Sequence, residues 1–300
     1  MKIGSYLVKG KGSAEDRLRA MRDAGFDYIC LSRSLFTGKG ATPELCERLG
    51  MEYDNIHLTC DNTSLIWFDT LDGEAIADRY VNEIRMASEA GVHTGIVHVT
   101  WKRTPVPPDD PTVGYSRYDR IAETAVKYGF RIAVENSAYE KQLFAVLDHY
   151  GAPFYHCFDC GHRNCFTPQI DYLAKYGDRL IATHIHDNEG LNDHHLLPFD
   201  GSIDWEDLAA RFAKNPLTRE RICAEFSGAG PREYPGKSAE VISREIAATG
   251  IAGTPFYSTV TAHDDGTADF YTGIPYPELV GELYARMRRL AEMIGRVANS

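Results

Sequence analysis

No stretch of this chain stays apolar for the roughly 18 residues that suggest a membrane span. The short apolar run in MKIGSYLVKG at its start is too brief for the core of a secretion signal. Cysteine is sparse: seven thiols in 300 residues, irregularly spaced and odd in number, do not make a disulfide scaffold. These absences lead to the expectation of a cytoplasmic, reduced protein. Positive charge is also scarce. With 32 basic and 43 acidic residues the net charge is −11. Such an excess of acid repels phosphate backbones and anionic lipid surfaces, so neither nucleic acid nor a membrane is an expected partner. No glycine-rich phosphate fingerprint follows an early strand, which disfavours an open dinucleotide-binding sheet. Low-complexity tracts are missing, and 43% hydrophobic with 25% charged residues is ordinary globular usage.

What is present is a repeated alternation of short apolar runs and longer amphipathic ones. Strands are expected at Ile3–Val8, Phe26–Ser32, Asn55–Thr59, Thr94–Thr100, Arg131–Asn136, Phe154–Asp159, Leu180–His186 and Ile222–Phe226. Helices are expected at Ala14–Gly25, Pro43–Gly50, Glu74–Gly91, Arg117–Gly129, Lys141–Gly151, Ile170–Tyr176, Trp205–Lys214 and Ala239–Thr249. Strand–helix repeats favour a parallel sheet, and eight of them favour closure into an α/β (β/α)8 TIM barrel. The whole of 1–300 reads as one such unit. Two regions fall outside the repeat. Pro105, Pro107, Pro108 and Pro111 stiffen the loop after Trp101. Phe256–Gly273 reads as a hairpin around Asp264-Asp265-Gly266, so 251–275 is an insertion serving as a lid or an oligomer contact. A long C-terminal helix over 276–298 follows it.

Several strands end in residues that bind cations or move protons: IVHVT, IAVENS, CFDCGH, ATHIHDN and CAEFS. Period-two alternation separates their faces. Ile132 and Val134 oppose Ala133 and Glu135. Phe158 opposes Cys157 and Asp159. Ile185 opposes His184 and His186. Ala224 and Phe226 oppose Cys223 and Glu225. With the bulky faces toward the helices, Glu135, Asp159, His184 and Glu225 point inward at the C-terminal rim, where barrel active sites sit. Three carboxylates on one rim repel and are costly to desolvate. One divalent cation relieves both, and carboxylate plus imidazole suits Mn, Mg, Co, Zn or Fe.

At these residues the chain resembles the xylose isomerase-like TIM-barrel family of sugar isomerases and epimerases, whose fold is shared with the AP-endonuclease family. The strings AVENS, FDCGH, HIHDNEGLNDHHLLPFDGSIDW and AEF carry the likeness. The third holds a His-x-x-Asp pair (His184, Asp187), then Asp-x-His (Asp193, His195), a turn over Pro198–Gly201, and a helix start at Ile203-Asp204-Trp205. The resemblance implies one metal bound by Glu135, Asp159, His184 and Glu225, with His186 as an alternative ligand. It also implies that His162 touches substrate or a second metal. The endonuclease branch uses more metals, and its extra ligands fall on His57, His98, His162, Asp193 and His195. The acidic charge argues against DNA as substrate. So do the texts VENSAYEK and FDCGHRNCF, which depart from that branch's longer motifs. His57, His98, Asp193 and His195 are therefore expected to line a substrate pocket.

The activity implied is isomerisation or epimerisation of a sugar or sugar-like keto-polyol through a metal-stabilised enediolate, with Glu135 and Glu225 as the acid/base pair. Dehydration or another lyase reaction of a keto-sugar or keto-inositol is the alternative; an AP endonuclease and a non-catalytic subunit stand further back. Trp67, Phe68 and Trp101 follow strands three and four and can pack on sugar C–H faces. Arg163, Arg232 and Lys102 are rim cations able to meet a phosphate or carboxylate. Cys157, Cys160 and Cys165 lack a second CxxC, which argues against a thiolate metal site. The expected partner is a small carbohydrate, with a homo-oligomer as a further expectation.

Overall fold

The computed structural model describes all residues except 102–104, 227–229, 235, 249–258 and 300. Eight parallel strands are present: β1 (Lys2–Tyr6), β2 (Tyr28–Ser32), β3 (Glu52–His57), β4 (Thr94–His98), β5 (Arg131–Glu135), β6 (Phe154–Asp159), β7 (Leu180–His184) and β8 (Arg221–Ala224). Their order is β7-β6-β5-β4-β3-β2-β1-β8. The ring closes where Ile185 bridges Ala224 in parallel, with Glu225 N–H donating to Ile185 O at 3.0 Å. The fold is thus the α/β TIM barrel expected from the repeats.

Between the strands run α1 (Ala14–Ala24), α2 (Pro43–Leu49), α3 (Leu71–Glu89), α4 (Thr112–Lys127), α5 (Glu140–His149), α6 (Cys160–Phe166), α7 (Tyr172–Tyr176), α8 (Trp205–Phe212) and α9 (Pro216–Glu220). Caps explain several starts. Ser13 and Asp16 form a capping box at α1, and Asp204 accepts from the N–H groups of Glu206 and Asp207 at α8. The expected helix Trp205–Lys214 stops earlier, because Asn215 caps a second short helix there and Pro216 occupies its first position.

Strand alternation sorts the two faces as expected. Ile132, Val134, Phe154, Phe158 and Ile222 join the large apolar shell beneath the helices. Each such side chain, fully buried, contributes about 1.5–3 kcal/mol. Inside the barrel are two small layers, Ile96-Ala133-Cys157-Ala182 and Tyr28-Cys30-Cys223. They fill the floor below the C-terminal rim.

The last part of the chain departs from the expected pairing of units. β9 (Gly230–Glu233), β10 (Thr259–Ala262) and β11 (Thr267–Tyr271) form an antiparallel sheet in the order β10-β11-β9. The hairpin around Asp264-Asp265-Gly266 is there; its expected start at 256–258, with the first residues of the 251–275 insertion, lies outside the described residues. α10 (Ala239–Ala248), expected as the eighth barrel helix, packs chiefly against β10 and β11. The outer position of the eighth unit belongs instead to α11 (Tyr276–Ala298), which lies against α1 and α8. Leu279, Leu283, Met287, Leu290 and Ile294 supply its buried stripe at helical spacing. No helix among the described residues is long and apolar enough to cross a membrane.

Candidate active site

Glu135, Asp159 and His184 are the last residues of β5, β6 and β7, and Glu225 follows β8 directly. The ladder brings them level: His98 pairs with Glu135 and Asp159 with His184 in the parallel register. One ligand atom from each of Glu135, Asp159, His184 and Glu225 lies within 4.8 Å of the others. His184 Nδ1 stands 2.8 Å from Glu225 Oε2, 3.1 Å from Glu135 Oε2 and 3.8 Å from Asp159 Oδ2. Glu135 Oε1, His184 Nδ1 and Glu225 Oε2 are all buried without a properly formed hydrogen bond among the described residues. Buried polar atoms that face one another unsatisfied call for a ligand. Three carboxylates and one imidazole are the donor set of a hard or borderline divalent cation. Tyr6 hydroxyl, 3.0 Å from His184 Nε2 and 3.3 Å from Asn55 Oδ1, donates to Asn55 and accepts from the imidazole. In the neutral imidazole that arrangement leaves Nδ1 with the lone pair a cation needs.

A second layer stands over Glu135. His98 Nε2 and His57 Nε2 lie 3.1 and 3.4 Å from Glu135 Oε2, and the three residues form a donor group of their own. Asn136 extends the ladder beyond β5: it donates to Asp159 O at 2.8 Å and accepts from Asp159 N–H at 2.9 Å. Asp159 in turn caps α6 by accepting from the N–H of His162. This places the His162 ring over the rim, where Nδ1 donates to Asn136 O and lies 3.0 Å from Glu135 Oε1.

A third group, His162, His186, Asp193 and His195, lies toward the loop after β7. Asp193 Oδ2 sits 3.1 Å from both His162 Nε2 and His195 Nε2. His186 Nε2 is 3.1 Å from Asp159 Oδ2 and 3.7 Å from Asp193 Oδ1, so His186 belongs with this group and His184 with the strand-end carboxylates. The His186 ring stacks on His195 at 4.0 Å and lies so close to Gly161 that a Cβ there would meet its Cε1 at 2.0 Å. Asp187 is structural. It accepts from the N–H groups of Asn188, Gly201 and Ile203 and from the Trp205 indole, tying the 198–205 turn to β7.

The charges are arranged around these contacts. Burial pushes the carboxyls of Glu135, Glu225 and Asp193 up, but the imidazoles facing them overcome it and hold all three well below the usual range. Burial likewise pushes the imidazoles down, yet their carboxylate neighbours raise His162 and His184 well above normal and His195 to about 9. His98 goes the other way, because burial outweighs Glu135 there. Cys157 is close to Glu135 and His184, but burial pushes its thiol up to about 12, so no thiolate is offered. All seven cysteines are free thiols.

A cavity of about 510 Å³ opens above these groups, and its walls include His57, His98, Trp101, His162, Asp193, His195 and Glu225. Glu135 has no exposed side-chain surface and lies behind the histidines. Trp67, expected at the pocket, is instead in the core. Its indole donates to Val99 O at 2.6 Å and its ring packs against Gly114 and Tyr118, because the turn after β3 folds it under α4. Phe68 gives its carbonyl to Arg117, and Arg163 donates to Ile170 O, so both serve the loops. Lys102 and the side chain of Arg232 lie outside the described residues. Tyr6, Asn136, Lys9, Arg17, Arg33 and Lys39 were not singled out by sequence reasoning. Only the position of Tyr6 and Asn136 at strand ends hinted at them.

The xylose isomerase-like TIM barrel family matches residues 18–248, and the chain belongs to it. An uncharacterized protein, y4fM of Sinorhizobium fredii (strain NBRC 101917 / NGR234), is 38% identical over 118 residues. That match spans 35% of this chain and 38% of the relative's length. Among solved structures, an L-ribulose 3-epimerase superposes over 100% of this chain and 97% of its own, with TM-score 0.69 and 17% identity. The IOLI protein with a bound zinc atom superposes over 99% of both chains, with TM-score 0.64 and 12% identity. At such identities the likeness is one of fold.

Proposed function

We propose that this protein is a metal-dependent isomerase or epimerase of a sugar or sugar-like keto-polyol. The observation carrying the reading is the meeting of Glu135, Asp159, His184 and Glu225 within 4.8 Å beside a cavity of about 510 Å³. An epimerase and a zinc-binding protein among the solved neighbours support it. A divalent cation held by these four residues supplies Lewis acidity for charge that builds on substrate oxygens. Glu225 faces the cavity; Glu135 comes from β5, which is not a neighbour of β8 on the ring, and lies behind His57, His98 and His162, so it reaches a substrate only when those rings give way. One group, as the carboxylate, takes the proton from the carbon beside the carbonyl, leaving an enediolate; the other, entering the step as the protonated acid, returns its proton, and exchange with solvent restores the pair. Return to the opposite face of the same carbon inverts it. Return to the neighbouring carbon exchanges ketose and aldose. The facing imidazoles hold both carboxyls below the usual range, so positioning contributes more than basicity. His162, whose Nε2 faces Asp193 on the cavity wall, is placed to hold a substrate hydroxyl or the developing oxyanion. Trp101 offers an apolar wall for the sugar's C–H face.

Proton NMR of candidate keto-sugars and keto-inositols in D2O tests the reading. Exchange of the carbon-bound hydrogen with formation of an isomer is the expected result; loss of water means a dehydratase. Glu135→Gln and Glu225→Gln should each abolish exchange while the fold persists, and near-normal kcat in either variant overturns the two-base scheme.

One observation favours a second reading. Glu135 lies behind His57, His98 and His162, and three donor groups, two of them sharing Glu135, line one rim. Several cations side by side suit phosphoester hydrolysis, with Glu135 a ligand only. Metal stoichiometry, together with assays on an abasic oligonucleotide and on a simple phosphodiester, separates the two. The acidic charge of the chain weighs against a duplex substrate.

A further inference from the structure

The mouth of the cavity is divided by charge. The acids and histidines come from β3 to β8 and the loops that follow. The side built by α1 and the loops after β1 and β2 carries Lys9, Arg17, Arg33 and Lys39, all lining the same cavity. On the closed ring, β1 and β2 lie opposite β5 and β6. Arg33 is neutralised by Asp61. Lys9, Arg17 and Lys39 make no ion pair among the described residues, in a chain whose acids outnumber its bases by eleven.

These cations stand on built structure. The chain after β2 makes a tight turn over Arg33–Thr37, and Lys39 N–H donates to Ser34 O at 3.2 Å. Gly40 packs so closely on Ser34 that a Cβ would meet its Oγ at 1.8 Å. Ser34 and Ser32 hydroxyls, 2.7 Å apart, also face the cavity. Arg17 reaches from α1 to donate to Val8 O at 3.0 Å, and its Nε is buried with no partner among the described residues. Lysines, a guanidinium and hydroxyls gathered at one end of a cavity are the chemistry that recognises a phosphate or carboxylate.

We infer that the substrate carries an anionic group, a phosphate or a carboxylate, at the end remote from its reacting carbons, and that Lys9, Arg17 and Lys39 bind it. The inference rests on the isomerase reading for the identity of the reacting end. The anion site itself stands on these side chains alone. A sugar chain then spans the mouth, its carbonyl end toward Glu225 and its charged end over β1 and β2.

Calorimetric titration of the manganese-loaded protein tests this with inorganic phosphate, D-fructose, D-fructose 6-phosphate and D-galacturonate, on wild type and on the Lys9→Gln/Lys39→Gln double variant. D-Fructose 6-phosphate or D-galacturonate should bind about tenfold or more tightly than D-fructose. Whichever of the two gains identifies the group. The double variant should lose that advantage while its affinity for D-fructose stays unchanged, and inorganic phosphate should weaken in parallel. Equal binding of neutral and anionic sugars, no binding of any anion, or an advantage that survives in the double variant overturns the proposal. Anion binding that depends on Lys9 and Lys39, in a protein that exchanges no carbon-bound hydrogen in any of these sugars, leaves the anion site standing and removes the isomerase reading.

Discussion

Two of the donor groups at the mouth of this barrel are made in different ways. Glu135, Asp159, His184 and Glu225 are all strand-end residues, set by the hydrogen-bond ladder between neighbouring strands. His162, His186, Asp193 and His195 depend on a helix start, the residue beyond a strand and a loop in which His195 takes a positive φ of 48°. The first group is rich in carboxylate and the second in imidazole. The first therefore suits a harder cation on a rigid frame, and the second a softer one on an adjustable frame. Glu135 and Asp159 join the two, since Asp159 lies 3.1 Å from His186 while facing His184 at 3.8 Å.

Glu135→Gln should produce the largest change, because Glu135 faces His57, His98, His162 and His184 together. Metal content measured by plasma mass spectrometry should fall by at least one equivalent, and hydrogen exchange by about 10²–10⁴-fold. Asp193→Asn acts on the loop group alone. It should weaken substrate binding and any second equivalent of metal while the first equivalent stays. If it strips as much metal as Asp159→Asn, the two groups are one unit and the comparison breaks.

Gly161→Ala pushes a methyl group into His186. Overpacking of this kind costs about 1–3 kcal/mol, read as a lower Tm, with weaker metal binding in the loop group and little change at the strand ends. The pH dependence sharpens the same contrast. His195 is raised to about 9 by Asp193 against the opposing effect of burial. Its folded value thus lies above its unfolded value of about 6.5. The stabilisation of the metal-free protein is full below about 6.5 and is lost as pH rises through about 9. Metal affinity moves the opposite way over the same interval, since a ligand imidazole must shed its proton. Calorimetric melts with chelator, beside metal titrations at the two pH values, check both signs. The smallest effect belongs to Trp67→Phe: about 1 kcal/mol from the lost indole bond to Val99 O, with kcat unchanged.

The eight units and the inward faces of β5 to β8 were readable because alternation is a local property of each strand. Ile132 and Val134 in the shell with Ala133 and Glu135 inside follow from period two alone. The same rule separates His156, whose ring packs among Phe158, Tyr172 and Tyr176 and is pushed down to about 4 by burial, from Asp159 on the inner face. It did not separate His184 from His186, which share a strand face. Their division follows from Tyr6 on one side and Gly161 on the other. Trp67 looked like a pocket wall because it follows β3, but a turn in the chain carries it into the core.

Local pattern was therefore enough for the architecture and for the carboxylates at the strand ends, since residues two apart on a strand must share a face whatever surrounds them. It was not enough for the histidine layer above Glu135, for the placement of α11 in the eighth outer position, or for the cations over β1 and β2. Those depend on distant loops meeting across the closed ring, and such meetings arise only when the barrel closes and packs.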